Sequence, residues 1–239
     1  MNKTVLINGG SRGIGKAMVE LFCKNGYSVA FTYKSSDDAA NALAKATGAL
    51  PIKADSAIED DVEFAVKTVE EKLGNVNILI NNAAVSSFSL FTDLSYEQWR
   101  HIFSVNVDGT FFYSKRVLPS MINKKYGRII NISSMWGDVG SSCEVHYSTT
   151  KAAIIGLTKS LAKEVGPSGI TVNCIAPGVI NTDMNSMLSS EDIASLCEET
   201  PLMRIGEPAE VAAAALFLAG DGASFITGAV INVNGGIVT

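Results

Sequence analysis

The chain has 239 residues, 47% of them hydrophobic and 18% charged, with 24 acids against 19 bases and a formal net charge of −5. That balance suits a packed core and excludes a disordered chain. It also removes the electrostatic basis for binding nucleic acid or an anionic membrane, and no apolar run approaches the roughly 18 residues needed to span a bilayer. The longest apolar run, 211–219, reads as a buried helix face.

In chain order, short segments rich in Val and Ile alternate with segments of helical length. Strands are predicted over 3–8, 28–33, 49–54, 77–80, 127–132, 170–175 and 229–233. Helices are predicted over 14–25, 37–46, 58–73, 96–124, 146–166 and 207–218. This order implies an α/β fold of the Rossmann type, doubly wound, with a seven-stranded, mostly parallel sheet and helices on both faces. Ser56-Ala-Ile-Glu59 and Ser95-Tyr-Glu-Gln98 each read as a capping box opening a helix. Glu59, Asp60 and Asp61 suit the positive end of a helix dipole rather than a metal. Asn25-Gly26 and Gly74-Asn75 mark helix ends. No linker or repeat divides the chain, so one domain is expected over 1–239. Its main irregular stretch, 179–201, is a candidate substrate loop.

The N-terminus lacks the apolar core and cleavage site of a secretory signal. Cys23, Cys143, Cys174 and Cys197 are scattered, and the only histidines are His101 and His146. No metal site is expected from such spacing, and free thiols point to a cytoplasmic location.

Asn8-Gly9-Gly10-Ser11-Arg12-Gly13-Ile14-Gly15 joins the first strand to the first helix. Glycine allows the tight turn and a close backbone approach to a pyrophosphate, and the helix N-terminus offers free N–H groups to it. Gly9, Ser11, Arg12, Gly13, Ile14 and Gly15 are therefore candidate dinucleotide contacts. The second strand ends Phe31-Thr-Tyr-Lys34-Ser35-Ser36, with no acid before Asp37. An NAD-specific site places an acid near here to bind the adenosine 2′-hydroxyl. Asp37 follows Ser36, a helix N-cap candidate, so capping is its expected role. Arg12 and Lys34, with Ser35 between strand and helix, would instead meet a 2′-phosphate. The expected cofactor is NADP(H) rather than NAD(H).

Tyr147 and Lys151 stand at i and i+4 and so share one helix face. Free tyrosine titrates near 10 and lysine near 10.4, so neither is a ready acid or base at neutral pH. A lysine charge about 4 Å away in partly buried surroundings is worth about 4 kcal/mol. That is enough to bring the phenol well down towards neutrality, before desolvation works against it. Such a tyrosine could exchange a proton with a carbonyl or alcohol oxygen. His146, its neighbour, points about 100° away around the helix.

With the glycine turn and the Tyr-x-x-x-Lys pair, further motifs recur in order. They are Asn81-Asn82-Ala83-Ala84, Asn106 in Val105-Asn-Val-Asp-Gly109, Ile132-Ser-Ser134 and Pro177-Gly178-Val-Ile180-Asn-Thr182. Together they make the chain resemble the short-chain dehydrogenase/reductase family from end to end. That resemblance implies catalytic roles for Asn106, Ser134, Tyr147 and Lys151. Tyr147 would be the general acid in reduction, and Lys151 would lower its pKa and bond the nicotinamide ribose. Ser134 would hydrogen-bond the substrate oxygen, with Ser133 its rival. Asn106 would hold a water linking Lys151 to solvent. The resemblance also implies that Asp55 and Ser56 hold the adenine, that Asn82 packs by the adenosine ribose, that Ile180 and Thr182 address the carboxamide end, and that Pro177 and Gly178 bind the cofactor too.

Within the family the chain is similar to 3-oxoacyl-acyl-carrier-protein reductases, through Gly127-Arg-Ile-Ile-Asn-Ile-Ser-Ser134, Gly156-Leu-Thr-Lys-Ser-Leu-Ala-Lys-Glu164 and Pro201-Leu-Met-Arg-Ile-Gly-Glu-Pro208. This likeness implies NADPH-dependent reduction of a 3-oxoacyl thioester, with acyl carrier protein as a possible partner. It also implies a homotetramer formed through the helices containing Phe111 and Ile155 and the C-terminal strand. Three positions depart from the pattern. Asn8 replaces a Thr, Ala84 replaces a Gly whose loss costs about 1 kcal/mol if the backbone needs positive φ, and Ser168 replaces a basic residue. A small ketone, a sugar or a steroid stays open as substrate. A non-catalytic dinucleotide sensor is disfavoured, because it needs no proton relay.

Overall fold

The computed structural model describes residues 3–185 and 189–238; Met1, Asn2, Thr239 and part of the expected substrate loop, 186–188, lie outside the described residues. Seven parallel strands form one sheet in the order β3-β2-β1-β4-β5-β6-β7. They are β1 (Thr4–Asn8), β2 (Ser28–Tyr33), β3 (Leu50–Lys53), β4 (Ile78–Asn81), β5 (Gly127–Ile132), β6 (Ile170–Pro177) and β7 (Val230–Val233). Every pairing is parallel.

Side chains alternate across a strand, and here each alternation feeds a different core. Val5 and Ile7 of β1 and Ile78 and Ile80 of β4 enter one core, with Met18 and Phe22 of α1 (Gly13–Lys24), Leu43 of α2 (Asp37–Thr47) and Leu218 of α9 (Pro208–Ala219). Leu6, Leu79 and Ile129 enter the other, against Val66 of α3 (Glu59–Leu73), Tyr113 of α5 (Gly109–Lys124) and Val165 of α7 (Val145–Val165). Each such buried side chain contributes roughly 1.5–3 kcal/mol through loss of apolar contact with water. That is why the strands read as unbroken apolar runs.

Several local expectations are corrected. The helix expected over 96–124 is three pieces: α4 (Tyr96–Phe103), a π-helical turn (Ser104–Asp108) and α5. The box at Ser95–Gln98 forms as expected, but Ser56–Glu59 does not. Helix α3 takes Ile58 as N-cap with no side-chain cap. Ser56 is instead buried with its backbone against Gly109, where a Cβ would lie 2.8 Å from the Ser56 carbonyl oxygen.

The stretch 179–201 is not structureless. It holds a 3₁₀ turn (Asp183–Asn185) and α8 (Ser190–Glu199), which is opened by a capping box of Ser189 and Asp192. Acid- and Ser-rich composition hid the helix, because its exposed surface leaves only a weak apolar stripe. The excursion closes at residue 206: the Asn181 N–H donates to the Gly206 carbonyl and the Gly206 N–H to Val179, both at 2.8 Å. A short helix α6 (Trp136–Val139) also lies between β5 and α7.

Candidate active site

The strand order reverses between β1 and β4, and the chain turns after both strands meet there. In open α/β sheets this is where ligands bind. Gly9 has φ +66°, and a Cβ there would come within 2.7 Å of the Ala83 backbone. A Cβ on Gly15 would strike the Gly9 carbonyl and sit 2.8 Å from Asn82 Nδ2. Helix α1 has no side-chain cap and no acid in its first turn, so its leading N–H groups are left for an anion. The turn therefore fits a dinucleotide pyrophosphate. Asn8 ties the two turns together. Its Oδ1 accepts from the backbone N–H groups of Asn82 and Ala83, each at 2.6 Å, and Asn82 Nδ2 donates to the Gly9 carbonyl at 2.8 Å. Ala84 is not among the positive-φ residues, so its methyl group costs nothing there.

The polar groups beyond β2 and β3 are arranged differently from expectation. Lys34, exposed, pairs with Asp55 at 2.7 Å, and the lysine and the Ala57 N–H hold that carboxyl below its usual range against burial. Asp37 does not cap α2. Its carboxylate is held by Lys53 at 2.8 Å and by the Tyr33 hydroxyl at 3.3 Å, and the Ser36 side chain makes no capping bond. Asp37 is thus already engaged, while Arg12 and Ser35 are exposed.

Ser134, Tyr147 and Lys151 come together at the end of β5 and the start of α7, all buried. Gly137 allows this closeness: a Cβ there would lie 2.7 Å from the Lys151 carbonyl carbon. The Ser133 hydroxyl donates to the Lys151 carbonyl at 2.8 Å. Ser134 is the serine whose side chain acts on the Tyr147 phenol, drawing its pKa down, and its Oγ accepts from Trp136 N–H at 3.2 Å.

The electrostatics correct the expectation of a lowered tyrosine pKa. Lys151 Nζ donates to the Ile132 carbonyl at 2.8 Å and sits 5.5 Å from the Tyr147 ring centroid. Burial pushes the Tyr147 phenol above its ordinary value, Ser134 opposes this, and the charge of Glu144 adds to it. Burial brings Lys151 down to about 8. Desolvation wins because the pair is enclosed and the ammonium faces a carbonyl rather than the phenol oxygen.

Asn106 lies in the π-helical turn, a distortion frequent at functional sites. Its Oδ1 accepts from Val85 N–H at 2.9 Å, and Nδ2 donates to the Val85 carbonyl and to Thr150 Oγ1, both at 3.0 Å. The side chain thus ties the segment after β4 to α7. His146 is buried, its Nε2 2.7 Å from Ser87 Oγ, and burial lowers its pKa. Thr182 faces the glycine turn, its Cγ2 3.4 Å from where a Cβ on Gly13 would sit, and Gly178 packs on Asn234. Ile180 is buried and Pro177 accepts from Met135 N–H at 2.9 Å.

Sequence reading missed a buried amide ladder. Asn8 donates to Asn81, Asn81 to Asn131, and Asn131 to Thr158 of α7, each at 2.9 Å. The three asparagines are in register across β1, β4 and β5. The available signal was a polar residue recurring near the C-terminal end of three apolar strands. Glu144, buried beside the tyrosine, was missed as well. Among the described residues no group of three or more His, Cys, Asp or Glu side chains is placed to hold a metal ion, and no helix is long and apolar enough to cross a membrane.

This sheet order, glycine turn and Ser-Tyr-Lys grouping are those of a nicotinamide-dependent oxidoreductase, and the chain belongs to the short-chain dehydrogenase/reductase family. A family model described as enoyl-(acyl carrier protein) reductase matches residues 9–238. The 3-oxoacyl-[acyl-carrier-protein] reductase FabG of Staphylococcus epidermidis is 38% identical over 99% of both chains. That of Aquifex aeolicus is 40% identical over 98% of this chain and 97% of its own. Among solved structures, a variant of a Serratia marcescens short-chain dehydrogenase/reductase superposes with a TM-score of 0.93 at 36% identity, covering 99% of this chain and 98% of its own. A Brucella melitensis member described as a glucose/ribitol dehydrogenase gives 0.94 at 33%, covering 100% and 97%.

Proposed function

We propose that the protein reduces the 3-keto group of an acyl thioester to an alcohol, using NADPH, as a 3-oxoacyl-[acyl-carrier-protein] reductase. The grouping of Ser134, Tyr147 and Lys151 beside a glycine turn carries the reading, and the full-length likeness to the FabG proteins supports the substrate class. NADPH supplies the hydride when bound. Gly9, Gly13, Gly15 and the start of α1 would hold its pyrophosphate. Arg12, Lys34 and Ser35 would hold the 2′-phosphate, with Lys34 exchanging Asp55 for it.

The residues of the chain then handle the oxygen and its proton. The Ser134 and Tyr147 hydroxyls donate to the ketone oxygen, polarising the carbonyl and meeting charge as it develops. Tyr147 gives up its proton to that oxygen. A phenol kept protonated by burial is suited to this direction. Lys151, with a pKa of about 8, is a nearby proton source. Asn106, whose carbonyl accepts from Thr110 Oγ1 at 3.0 Å inside the π-helical turn, would hold a water on the route to solvent. We read the protein as a cytoplasmic homotetramer by likeness to its relatives, with the exposed Phe111 of α5 as one interface side chain.

The test follows NADPH absorbance with an acetoacetyl thioester, a crotonyl thioester, sugars and ketosteroids. Turnover of the acetoacetyl thioester, lost about 10²–10⁴-fold in Tyr147→Phe with NADPH binding retained, is expected. Turnover of the crotonyl thioester or a sugar alone would replace this substrate. A Tyr147→Phe enzyme that keeps substantial activity would remove the proton-donor role.

A further inference from the structure

Three consecutive residues at the end of β5 each hold α7. The Asn131 side chain donates to Thr158 Oγ1 at 2.9 Å, the Ile132 carbonyl accepts from Lys151 Nζ at 2.8 Å, and the Ser133 hydroxyl donates to the Lys151 carbonyl at 2.8 Å. Side chains at i and i+2 of an extended chain leave on the same face. Asn131 and Ser133 therefore both meet the helix, while Ile132 sends its side chain into the opposite core and offers α7 only its carbonyl. On α7, Tyr147, Lys151, Ile154 and Thr158 fall at i, i+4, i+7 and i+11, one buried face of a helix with 3.6 residues per turn. The same face thus carries the proton-handling pair and both points of attachment.

The hydroxyl offered to substrate is that of Ser134, yet Ser133 is equally buried and its bond is made in a space kept open for it. A Cβ on Gly137 would lie 2.8 Å from Ser133 Oγ and 2.9 Å from the Lys151 carbonyl oxygen, against donor and acceptor alike. A helix carbonyl accepts from the N–H four residues on and keeps a second lone pair, which is the one Ser133 takes. Thr158 is fully buried and its hydroxyl is used twice, accepting from Asn131 and donating to the Ile154 carbonyl at 2.8 Å. Lys151 and Thr158 are about 10.5 Å apart along the axis at 1.5 Å per residue. A single attachment would let the helix pivot; two that far apart fix both its height on the sheet and its rotation.

We propose that Ser133 and Thr158 are positioning residues for the reaction: by tying the Lys151 main chain and the next two turns of α7 to the end of β5, they keep Tyr147 and Lys151 level with Ser134. Neither hydroxyl handles the transferred proton; each acts through the helix. Ser134 follows Ser133 in the chain, so the substrate-facing hydroxyl and the helix are fixed to one another at adjacent residues. Displacing a reacting group by about 1 Å can cost about 10²-fold in rate. The proposal rests on the reading of Tyr147 as proton donor.

The experiment measures kcat and KM for NADPH-dependent reduction of acetoacetyl-CoA, NADPH binding by fluorescence, and melting temperature by circular dichroism. Ser133→Ala and Thr158→Val each remove one hydroxyl at nearly constant volume. Each is expected to lower kcat about tenfold with KM nearly unchanged, the split expected when only the transition state is affected. NADPH binding is expected to be retained, because the glycine turn and α1 are untouched. Thr158→Ser keeps the hydroxyl and loses only a buried methyl group, so it should melt earlier than the wild type yet keep its kcat. A merely structural role would instead make kcat follow the melting temperature.

A wild-type kcat in folded Ser133→Ala or Thr158→Val would overturn the proposal. So would a Thr158→Ser enzyme that loses kcat as far as Thr158→Val, because packing and not the hydroxyl would then be the cause. If Thr158→Val does not fold, Ser133→Ala still decides the matter. Tyr147→Phe separates the two levels. If it is inactive while Ser133→Ala keeps its kcat, only this inference fails; if it stays active, the donor assignment itself fails.

Discussion

Asn131 donates its amide proton to Thr158 Oγ1 at 2.9 Å, so the interior strand β5 is bonded directly to the helix that carries Tyr147 and Lys151. Thr158 passes the bond on to the Ile154 carbonyl at 2.8 Å, and Asn131 Oδ1 accepts from Asn81. No polar atom in this chain of bonds is left over. A fully satisfied buried network sets a single arrangement of its elements, and a half-satisfied one is costly.

Asn131→Val therefore leaves the Asn81 amide and the Thr158 hydroxyl short of partners. The expected cost is about 3 kcal/mol, or roughly 6–12 °C in melting temperature for a chain of this size. Thermal unfolding followed by circular dichroism measures it. A loss below about 1 kcal/mol would mean the ladder contributes little beyond packing.

Lys151 is expected to lower stability while it serves the site. Unfolded, it titrates at its ordinary 10.5; folded, near 8. Below pH 8 both states hold the proton and the folded state bears the full burial penalty. Between 8 and 10.5 the unfolded chain holds more protons, so stability rises with pH, and above that window the penalty is gone. Lys151→Met should be inactive yet more stable at pH 7 by about 1–3 kcal/mol. That gain should shrink to nothing as pH passes through the same window. Urea unfolding of both proteins at neutral and alkaline pH checks the sign.

Arg12 and Lys34 are expected to discriminate between the two nicotinamide cofactors. Alanine at either position should raise KM for NADPH about tenfold, the loss of roughly 1.4 kcal/mol of charge-assisted bonding, and leave KM for NADH nearly unchanged. Equal effects on both would show that neither cation meets a 2′-phosphate.

Gly15→Ala places a methyl group onto the Gly9 carbonyl. Relief of that clash must move the turn, at about 1–3 kcal/mol, and NADPH binding followed by fluorescence should be lost before folding is. Tight binding in this variant would contradict the close approach of α1 to the turn.

Much of this was legible from residue types alone. The strand sequence, the two-sided burial and the position of the glycine turn follow from local periodicity, because a parallel strand covered on both faces must be apolar throughout. Helix α8 and the π-helical turn were not legible. The first is polar and exposed, and the second lies inside an unbroken helical pattern whose hydrogen-bond shift has no marker in composition. Ser36 and Ser56 looked like caps because Ser favours caps in general, but neither side chain caps its helix.

For the site, the chain itself determined which groups are present and their order: the glycine turn, Asn106, Ser134, Tyr147 and Lys151. Spacing put Tyr147 and Lys151 on one helix face, since 3.6 residues make a turn. Only the tertiary structure decided how they act on one another. It turned the lysine to the Ile132 carbonyl, enclosed the phenol, placed Glu144 beside it, and paired Lys34 with Asp55. Those outcomes depend on burial and on partners distant in sequence, and a proton's affinity is set by both.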